Sequence, residues 1–578
     1  MRLRELSSKT MWLTAAVITV LTAAAVVALW WPATAGLNGD KLVSARLEAL
    51  KIGLSIGVGS GGVVALYLSW RRQHSAERML AHQEHDSAER RLSELYLKAV
   101  EQLGSSEAAV RHGGLYALER VAQDNPEQRQ TVVNVICAYL RGPYTPPPKT
   151  NGTRPLGVRR PLLRSTTVDR TPAPRPDAQA RETQLQEREV RLTAQDILQR
   201  NLCPGEDSDH LQPFWSGLDI NLSGATLINF SFSRCQVAKA AFRGTNFTGI
   251  AGFVGVTFTG NANFDGATFS GPTWFDGAHF SGVTWFDGAT FDDYVAFRET
   301  KFSASAWFDK TMFAGYAEFR RTTFSGKAGF GEATFSDEAR FDGVTFSGEA
   351  GFGGVTFSGK AEFEGATFLD DAGFNGVTFS NEARFEKVTF SGNTGLGRAT
   401  FSSSASFGRA TFKRVVWFGD ARFSGGAGFD RTVFSGDAGF TGVRFNHAAG
   451  FEVAIFAGDA RFDKVTFSCG ASFGGATFKR VAWFAGAVFS RSAGFDGATF
   501  IGDARFGGAT FMGGAGFGGA TFSSVAGFGR VTFNRGARFE GARFSGETQF
   551  DGATYDGRAF NPAKRDAPPR HGEISTGG

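Results

Sequence analysis

Phenylalanine recurs along most of this chain at a spacing that alternates between five and six residues. The series runs through Phe247, Phe253 and Phe258 to a terminal Tyr555, and Leu396 is its one aliphatic replacement before that end. The chain holds 60 Phe and 76 Gly in 578 residues. A period of eleven residues, sustained over 28 repeats, is typical of architectures in which each unit stacks on the next.

Each unit has the form small-x-Phe followed by a polar corner. In an extended triplet the first and third side chains point to one face and the middle one to the other. Each triplet therefore buries an Ala or Val together with a Phe, and Gly two places after most Phe supplies the corner conformation. Such short strands can pair only with the coil above and below, about 4.8 Å away. The pattern predicts a mainly β solenoid with a ladder of stacked rings as its core.

The predicted ladder includes many phenylalanines that share this position in the unit. Nine of them are Phe247, Phe258, Phe269, Phe330, Phe335, Phe341, Phe346, Phe352 and Phe357.

The segments "SGATL", "KAAFRGTNF" and "SGKAGFGEATF" carry a family resemblance. From Leu218 to Phe560 the chain resembles the pentapeptide-repeat family, whose unit is small-x-Leu/Phe-x-x. The resemblance implies a right-handed quadrilateral β-helix with four faces per coil. Strict spacing by five from Leu222 to Phe247 fits it, whereas the six-residue units beyond depart from it. Four faces would then take roughly 22 residues per coil and give a rod of roughly 75 Å; a flat coil of eleven residues stays open.

Two uncharged runs near the N-terminus predict a transmembrane hairpin. Met11–Trp31 follows several basic residues and is long enough to cross a hydrocarbon core of about 30 Å. Ile52–Trp70 ends at Arg71. Basic residues before the first span and after the second predict that both termini are cytoplasmic. Ala33-Thr34-Ala35 has the form of a signal cleavage site, but the apolar stretch is longer than a signal's usual core of about 7 to 15 residues.

Gly53, Gly57 and Gly61 recur at every fourth residue of the second run. They place three hydrogens on one helix face, where another backbone can approach closely. We expect this face to pack on the Ala-rich first span, around Ala16 and Ala23, or on a second molecule.

The rest of the chain divides by composition. We predict a cytoplasmic N-terminus, a loop between the spans, a helical stem and domain, a Pro- and Arg-rich linker, a capping helix with a lead-in, the β-helix and a disordered tail. These segments and the two spans are residues 1–10, 11–31, 32–51, 52–70, 71–142, 143–180, 181–215, 216–560 and 561–578. The basic linker could also attract an anionic membrane surface.

The balance of charges argues against functions that need a strongly basic or strongly acidic surface. Residues 216–560 carry 31 basic and 32 acidic side chains, which disfavours nucleic-acid binding and imitation of DNA. Residues 251–400 carry 11 basic and 19 acidic side chains, and residues 401–550 carry 16 and 10. This distribution suits antiparallel contact between two rods. The four cysteines are far apart in sequence, so they predict neither a disulfide framework nor a metal site.

No catalytic constellation, cofactor site or metal site emerges from the residues. His82 and His85 have a suitable spacing for a metal, but no further ligand accompanies them. We predict a membrane-anchored, non-enzymatic scaffold whose partners are membrane lipid, other proteins and a second copy of the chain. The arrangement resembles bacterial membrane-anchored pentapeptide-repeat proteins. The resemblance also implies an alternative, a regulator or inhibitor of a nucleic-acid enzyme such as DNA gyrase.

Overall fold

The computed structural model describes residues 8–36, 39–146, 178–204 and 214–560. The predicted tail, 561–578, and most of the predicted linker, 143–180, lie outside these residues. The chain divides into two compact units, Met1–Leu97 and Lys98–Gly578. Within the described residues, five α-helices and a short 3-10 helix precede the strands. The α-helices are α1 (Ser8–Thr34), α2 (Asp40–Leu103), α3 (Ala108–Asp124), α4 (Arg129–Arg141) and α5 (Ala178–Leu202), and Pro126–Gln128 forms the 3-10 helix.

Among the described residues, one segment is long and apolar enough to cross a membrane. It is Ala15–Pro32 in α1, with a mean hydropathy of 1.9 and no buried residue. The second predicted span, Ile52–Trp70, lies inside the 64-residue helix α2. It is not confirmed as a span, and several of its side chains fall outside the described part of the chain.

Helices α3, α4 and α5 form a small helical domain because their apolar stripes face one another. Leu118, Ile136 and Ile197 from the three helices are fully buried. Arg191 of α5 is also buried, and its guanidinium donates hydrogen bonds to the carbonyls of Leu140 and Gly142 at 2.9 and 2.8 Å. It thereby satisfies carbonyls at the end of α4 that have no partner within the helix.

Four short strands make each coil of the solenoid. A representative coil contains Ala262–Asn263, Thr268–Phe269, Thr273–Trp274 and His279–Phe280, and the next begins at Thr284–Trp285. We call the four sides face 1 to face 4 in this order. Most strands have two residues, whereas Thr226–Ser231 and Asn246–Gly252 have six and seven and run from face 2 into face 3.

Each face repeats to the end of the solenoid. Face 1 is a sheet of 16 strands from Ile220–Asn221 to Thr548–Gln549, and face 4 is one of 15 strands from Gln236–Val237 to Arg543–Phe544. Faces 2 and 3 join in one 30-stranded sheet. Beyond the two long strands, face 2 runs from Thr268–Phe269 to Thr554–Tyr555 and face 3 from Thr273–Trp274 to Ala537–Arg538, and a last strand, Arg558–Ala559, pairs antiparallel with Thr554–Tyr555.

The strand register fixes the length of the coil. Strands of successive coils pair in parallel, and Thr532 lies beside Thr554, 22 residues further on. The first coil is shorter, since Ile220 pairs with Ala240. The prediction of four faces per coil is therefore confirmed together with its coil length, and the flat coil of eleven residues is wrong. The chain forms a mainly β solenoid of about 15 turns.

The core is a stack of phenylalanine rings that the buried Leu396 interrupts on face 1. All nine ladder residues named from the sequence are fully buried. Phe341 stacks on Phe363 of the next coil with ring centroids 4.8 Å apart and meets Phe352 edge-on at 5.7 Å. Burying each ring is worth about 1.5 to 3 kcal/mol, and ring pairs add about 0.5 to 1.5 kcal/mol. The core therefore holds the solenoid together.

The two ends of the solenoid are closed differently. At the first coil, Gln195 of α5 exchanges hydrogen bonds with the backbone of Ile228 at 2.8 and 2.9 Å. Arg141 of α4 donates to the carbonyl of Asn221 at 2.7 Å. At the last coil, the ring of Phe560 packs against the ring of Phe550, with centroids 5.0 Å apart. The helical domain thus covers the first coil, whereas among the described residues the ring of Phe560 covers the last.

Candidate interaction surfaces

The glycines predicted to pack against a helix lie in α2. A Cβ on Gly53 would overlap the Val26 side chain of α1, and one on Gly57 would come within 3.3 Å of Thr22 Cγ2. These glycines therefore face α1 at Val26 and Thr22, which lie close to Ala23, one of the alanines named in the prediction. Gly61 lies in the same helix, but its surroundings are outside the described part of the chain. Their role in packing within a membrane stays a prediction.

Two of the four cysteines are joined, although their spacing in the sequence did not predict a disulfide framework. Cys203 at the end of α5 is bonded to Cys235 in the first coil, 32 residues later. The sequence does not indicate this pair, because the two cysteines become neighbours only where α5 folds back over the first coil. Of the remaining two, Cys137 is buried, and burial raises the pKa of its thiol to about 11.

Metal-binding groups do not converge in the described residues. No cluster of three or more His, Cys, Asp or Glu side chains there could hold an ion. The side chains of His82 and His85 lie outside the described part. His279 is isolated on face 4, where its Nε2 lies 3.0 Å from the hydroxyl of Ser303.

Face 3 of the first half carries a ladder of alternating charges. Glu318, Arg340, Glu362 and Arg384 point outward from successive paired strands. Arg340 lies 3.1 Å from Glu362, and Arg384 lies 3.4 Å from it. Lys360 contacts the same carboxylate. Opposite charges on adjacent strands stabilise the sheet, so we call this set the charge ladder.

Two carboxylates in or beside the charge ladder have pKa values that are shifted in opposite directions. Burial alone would raise the pKa of Glu362, but Lys360, Arg340 and Arg384 outweigh it and lower that pKa. Asp342 lies beside the ladder without such a partner, and its Oδ1 is buried and accepts no hydrogen bond. Burial, with a smaller contribution from Glu362, raises the pKa of Asp342 to about 6.

Face 3 of the second half is a groove without such a ladder. Its outward positions are small, as at Gly450, Ser472, Gly494 and Gly516. They line a groove of about 1020 Å³ that has Glu452 and Asp496 on one rim and Arg535 and Arg538 at its end. We call it the far groove. A rigid floor without long side chains lets another chain approach the sheet closely.

Basic side chains are paired differently in the two halves. In the charge-ladder half, Arg298, Lys327 and Lys387 all have acidic partners within 4 Å. In the second half, the ion pair seen among the described residues is Arg505 with Asp503 at 3.0 Å. Arg422 and Arg444 are exposed and lie beside each other in register on face 2. Like charges in this position are unfavourable without an anion nearby.

Sequence analysis missed the charge ladder and the buried Arg191. The ladder has a sequence signal, because Glu318, Arg340, Glu362 and Arg384 recur at one constant interval, the length of a coil. That signal can be read only once the coil length is known. The partners of Arg191 depend on how α4 and α5 meet, which no periodicity in the sequence indicates.

Comparison with known proteins agrees with this geometry. A family model described as pentapeptide repeats matches in nine copies, over ranges that together cover residues 253–554, about half of the chain. None of the curated proteins and none of the solved structures compared with the chain matches it.

Proposed function

Since this chain belongs to the pentapeptide-repeat family, we propose that its β-helix is a non-enzymatic scaffold that binds other proteins along the outside of the rod. Solenoids of this kind present extended surfaces on a rigid core. The core of this one is filled by phenylalanine, so its outward side chains and corners are the parts that can vary for recognition.

The far groove is the observation that carries this proposal. It is open to solvent, its floor is made of small residues, and the charges around it are not neutralised in a ladder as they are in the first half. Such a surface offers space and unpaired charges to a partner, whereas the charges of the charge ladder are paired with one another.

We also propose that the N-terminal region anchors the scaffold in a membrane. The segment Ala15–Pro32 has the length and hydropathy of one span. The proposal extends to Ile52–Trp70 as a second span, because it is uncharged and ends at Arg71. Two spans would leave the β-helix and both termini in the cytoplasm.

The disulfide is evidence that the β-helix lies on the other side of the membrane, outside the cytoplasm. Cys203 and Cys235 are bonded, and disulfides persist mainly in oxidising compartments. Protease treatment of intact and of lysed cells, with a tag after Gly578, separates the two arrangements. Cleavage only after lysis supports two spans and a cytoplasmic rod. Cleavage in intact cells contradicts that topology and leaves the anchor as a single span.

Capture from solubilised membranes tests the scaffold. Full-length protein should retain a specific partner, and Gly494→Trp should lose it because the indole would fill the far groove. Gly351→Trp, on face 1 of the first half, is the control outside the groove, since an added Cβ there meets one backbone oxygen at 4.0 Å. Recovery of lipid and of the chain itself, with no other protein, would overturn the proposal.

We do not extend the proposal to inhibition of a nucleic-acid enzyme such as DNA gyrase. The β-helix carries nearly equal numbers of acidic and basic residues, and imitation of DNA requires a strongly acidic surface.

A further inference from the structure

Face 2 carries opposite charges at its two ends. In the first half, Asp293 and Asp337 are exposed at the corner between faces 2 and 3. In the second half, Arg491 and Arg535 are exposed at the same corner. All four residues stand two places after a phenylalanine of face 2, so they form one column along the rod. None of the four makes an ion pair within the described chain.

The other corner of face 2 adds one more pair. Arg398 and Asp420 occupy equivalent corners of adjacent coils between faces 1 and 2, both with positive φ, of 58° and 60°. Both are exposed, and neither has an ion-pair partner among the described residues.

These three acid–base pairs share one midpoint. Asp337 and Arg491 are seven coils apart, and Asp293 and Arg535 are eleven coils apart. Arg398 and Asp420 are one coil apart. In each case the midpoint falls between the coil of Thr400 and the coil of Arg422. A two-fold axis at this height, running across face 2, would therefore bring each acidic residue opposite a basic residue of a second copy.

We propose that face 2 is the interface of an antiparallel homodimer of this chain. A two-fold axis across the face keeps each corner opposite the same corner of the second copy, as an isologous interface requires. Asp337 then meets Arg491, Asp293 meets Arg535 and Asp420 meets Arg398, each twice. This inference goes beyond the proposed scaffold, because it names a second copy as the partner and uses face 2, which shares the corner at Arg535 with the far groove.

The remainder of face 2 fits the same arrangement. Arg422 and Arg444, which lie beside each other, would face Thr400 and Thr378 of the second copy rather than further arginines. Met312, which is 48% exposed, would lie against the strand that begins at Thr510. The paired coils extend over about 50 Å at about 4.8 Å per coil, a length that suits an interface of ordinary size.

A charge swap tests the pairing in the full-length protein in detergent. Sedimentation equilibrium should show a dimer whose dissociation constant rises at least tenfold in Asp337→Arg and in Arg491→Asp. The combined Asp337→Arg/Arg491→Asp variant should return to within about threefold of the original protein, because the pairs are restored in reversed order. Arg480→Asp, an exposed corner residue between faces 4 and 1, is the matched control and should not change dimerisation.

Cysteine cross-linking gives a readout that does not depend on affinity. In a Cys469→Ser background, Asp337→Cys/Arg491→Cys should form disulfide-linked dimers in which position 337 of one copy is joined to position 491 of the other. Within one chain the two positions are about 34 Å apart, too far for a disulfide.

A monomer at all concentrations would overturn the proposal, and so would a dimer that the single reversals leave unchanged or that the swap does not restore. Circular dichroism of each variant checks that the solenoid is folded. Asp337 and Arg491 do not line the far groove, so their reversal should leave capture of another protein through the groove unaffected, and the two proposals fail separately.

Discussion

The two halves of the β-helix share the same phenylalanine core but carry different side chains on their outer surfaces. Phe341 in the first half and Phe473 in the second are both fully buried, and each stacks on its neighbours with centroids 4.8 Å apart. Outside, face 3 of the first half carries the charge ladder, whereas face 3 of the second half forms the far groove. The comparison shows that in this fold the inward positions determine the structure, and the outward positions are free to serve either stability or binding.

The core should be equally important in both halves. Phe341→Ala and Phe473→Ala should each lower the free energy of unfolding by about 3 to 5 kcal/mol, since each leaves a cavity inside the ring stack. Denaturant unfolding of the full chain measures the effect. Thr345→Ala, at an outward position, should change it by less than about 0.5 kcal/mol. If the loss in free energy of unfolding differed twofold between the two variants, the core would not be equally important in both halves.

The outer carboxylates should differ in importance. Glu362→Gln should lower the free energy of unfolding by about 2 kcal/mol, because three cations would lose their shared partner while remaining partly buried. In the second half Glu452→Gln should have an effect below about 0.5 kcal/mol, since its carboxylate meets only the hydroxyl of Ser472 at 2.9 Å. Equal effects in chemical denaturation would show that the ladder does not stabilise the first half.

Asp342 should give the first half a distinctive pH dependence. Its pKa is raised to about 6, against about 3.9 in an unfolded chain, so the folded state binds more protons between these values. The contribution of Asp342 to stability therefore falls as pH rises from about 4 to about 6 and is constant above.

Asp342→Asn should consequently stabilise the protein at pH 7 by about 1 kcal/mol, after allowance for solvent screening. It should also flatten the profile between pH 4 and 6. Thermal unfolding across that range tests both effects, and an unaltered slope in the variant would show that another group titrates.

The smallest expected effect concerns the second half. Arg422→Thr should stabilise the dilute monomer by up to about 0.5 kcal/mol at low salt, because it removes the repulsion from Arg444. The gain should vanish in about 0.5 M salt. A gain that persists at high salt would indicate that packing, not charge, is responsible.

Much of the fold could be predicted from the sequence. The alternation of Phe247, Phe253 and Phe258 determines the strand and corner positions, because an inward ring is needed at each of them. The choice between a four-sided coil and a flat two-sided coil could not be made from that spacing alone, since both bury the same rings. The register of Thr532 with Thr554 decides it.

The contacts that the sequence did not reveal all depend on how separate elements meet. Cys203 and Cys235 become neighbours only because α5 folds over the first coil. Arg191 satisfies the end of α4 from a different helix. The charge ladder needs the coil length before its members can be aligned. The disulfide and the contacts of Arg191 join elements outside the repeat, which its periodicity does not describe.

The central claim is that face 3 of the second half binds partners, whereas the charges on face 3 of the first half bind one another. Photo-crosslinking in living cells tests it most directly, with a photoreactive phenylalanine analogue placed at Gly494 in the far groove or, as a control outside the groove, at Gly351 on face 1 of the first half. The account predicts a covalent adduct with another protein from position 494 and none from position 351. Equal adducts from both positions, or none from position 494, would contradict it.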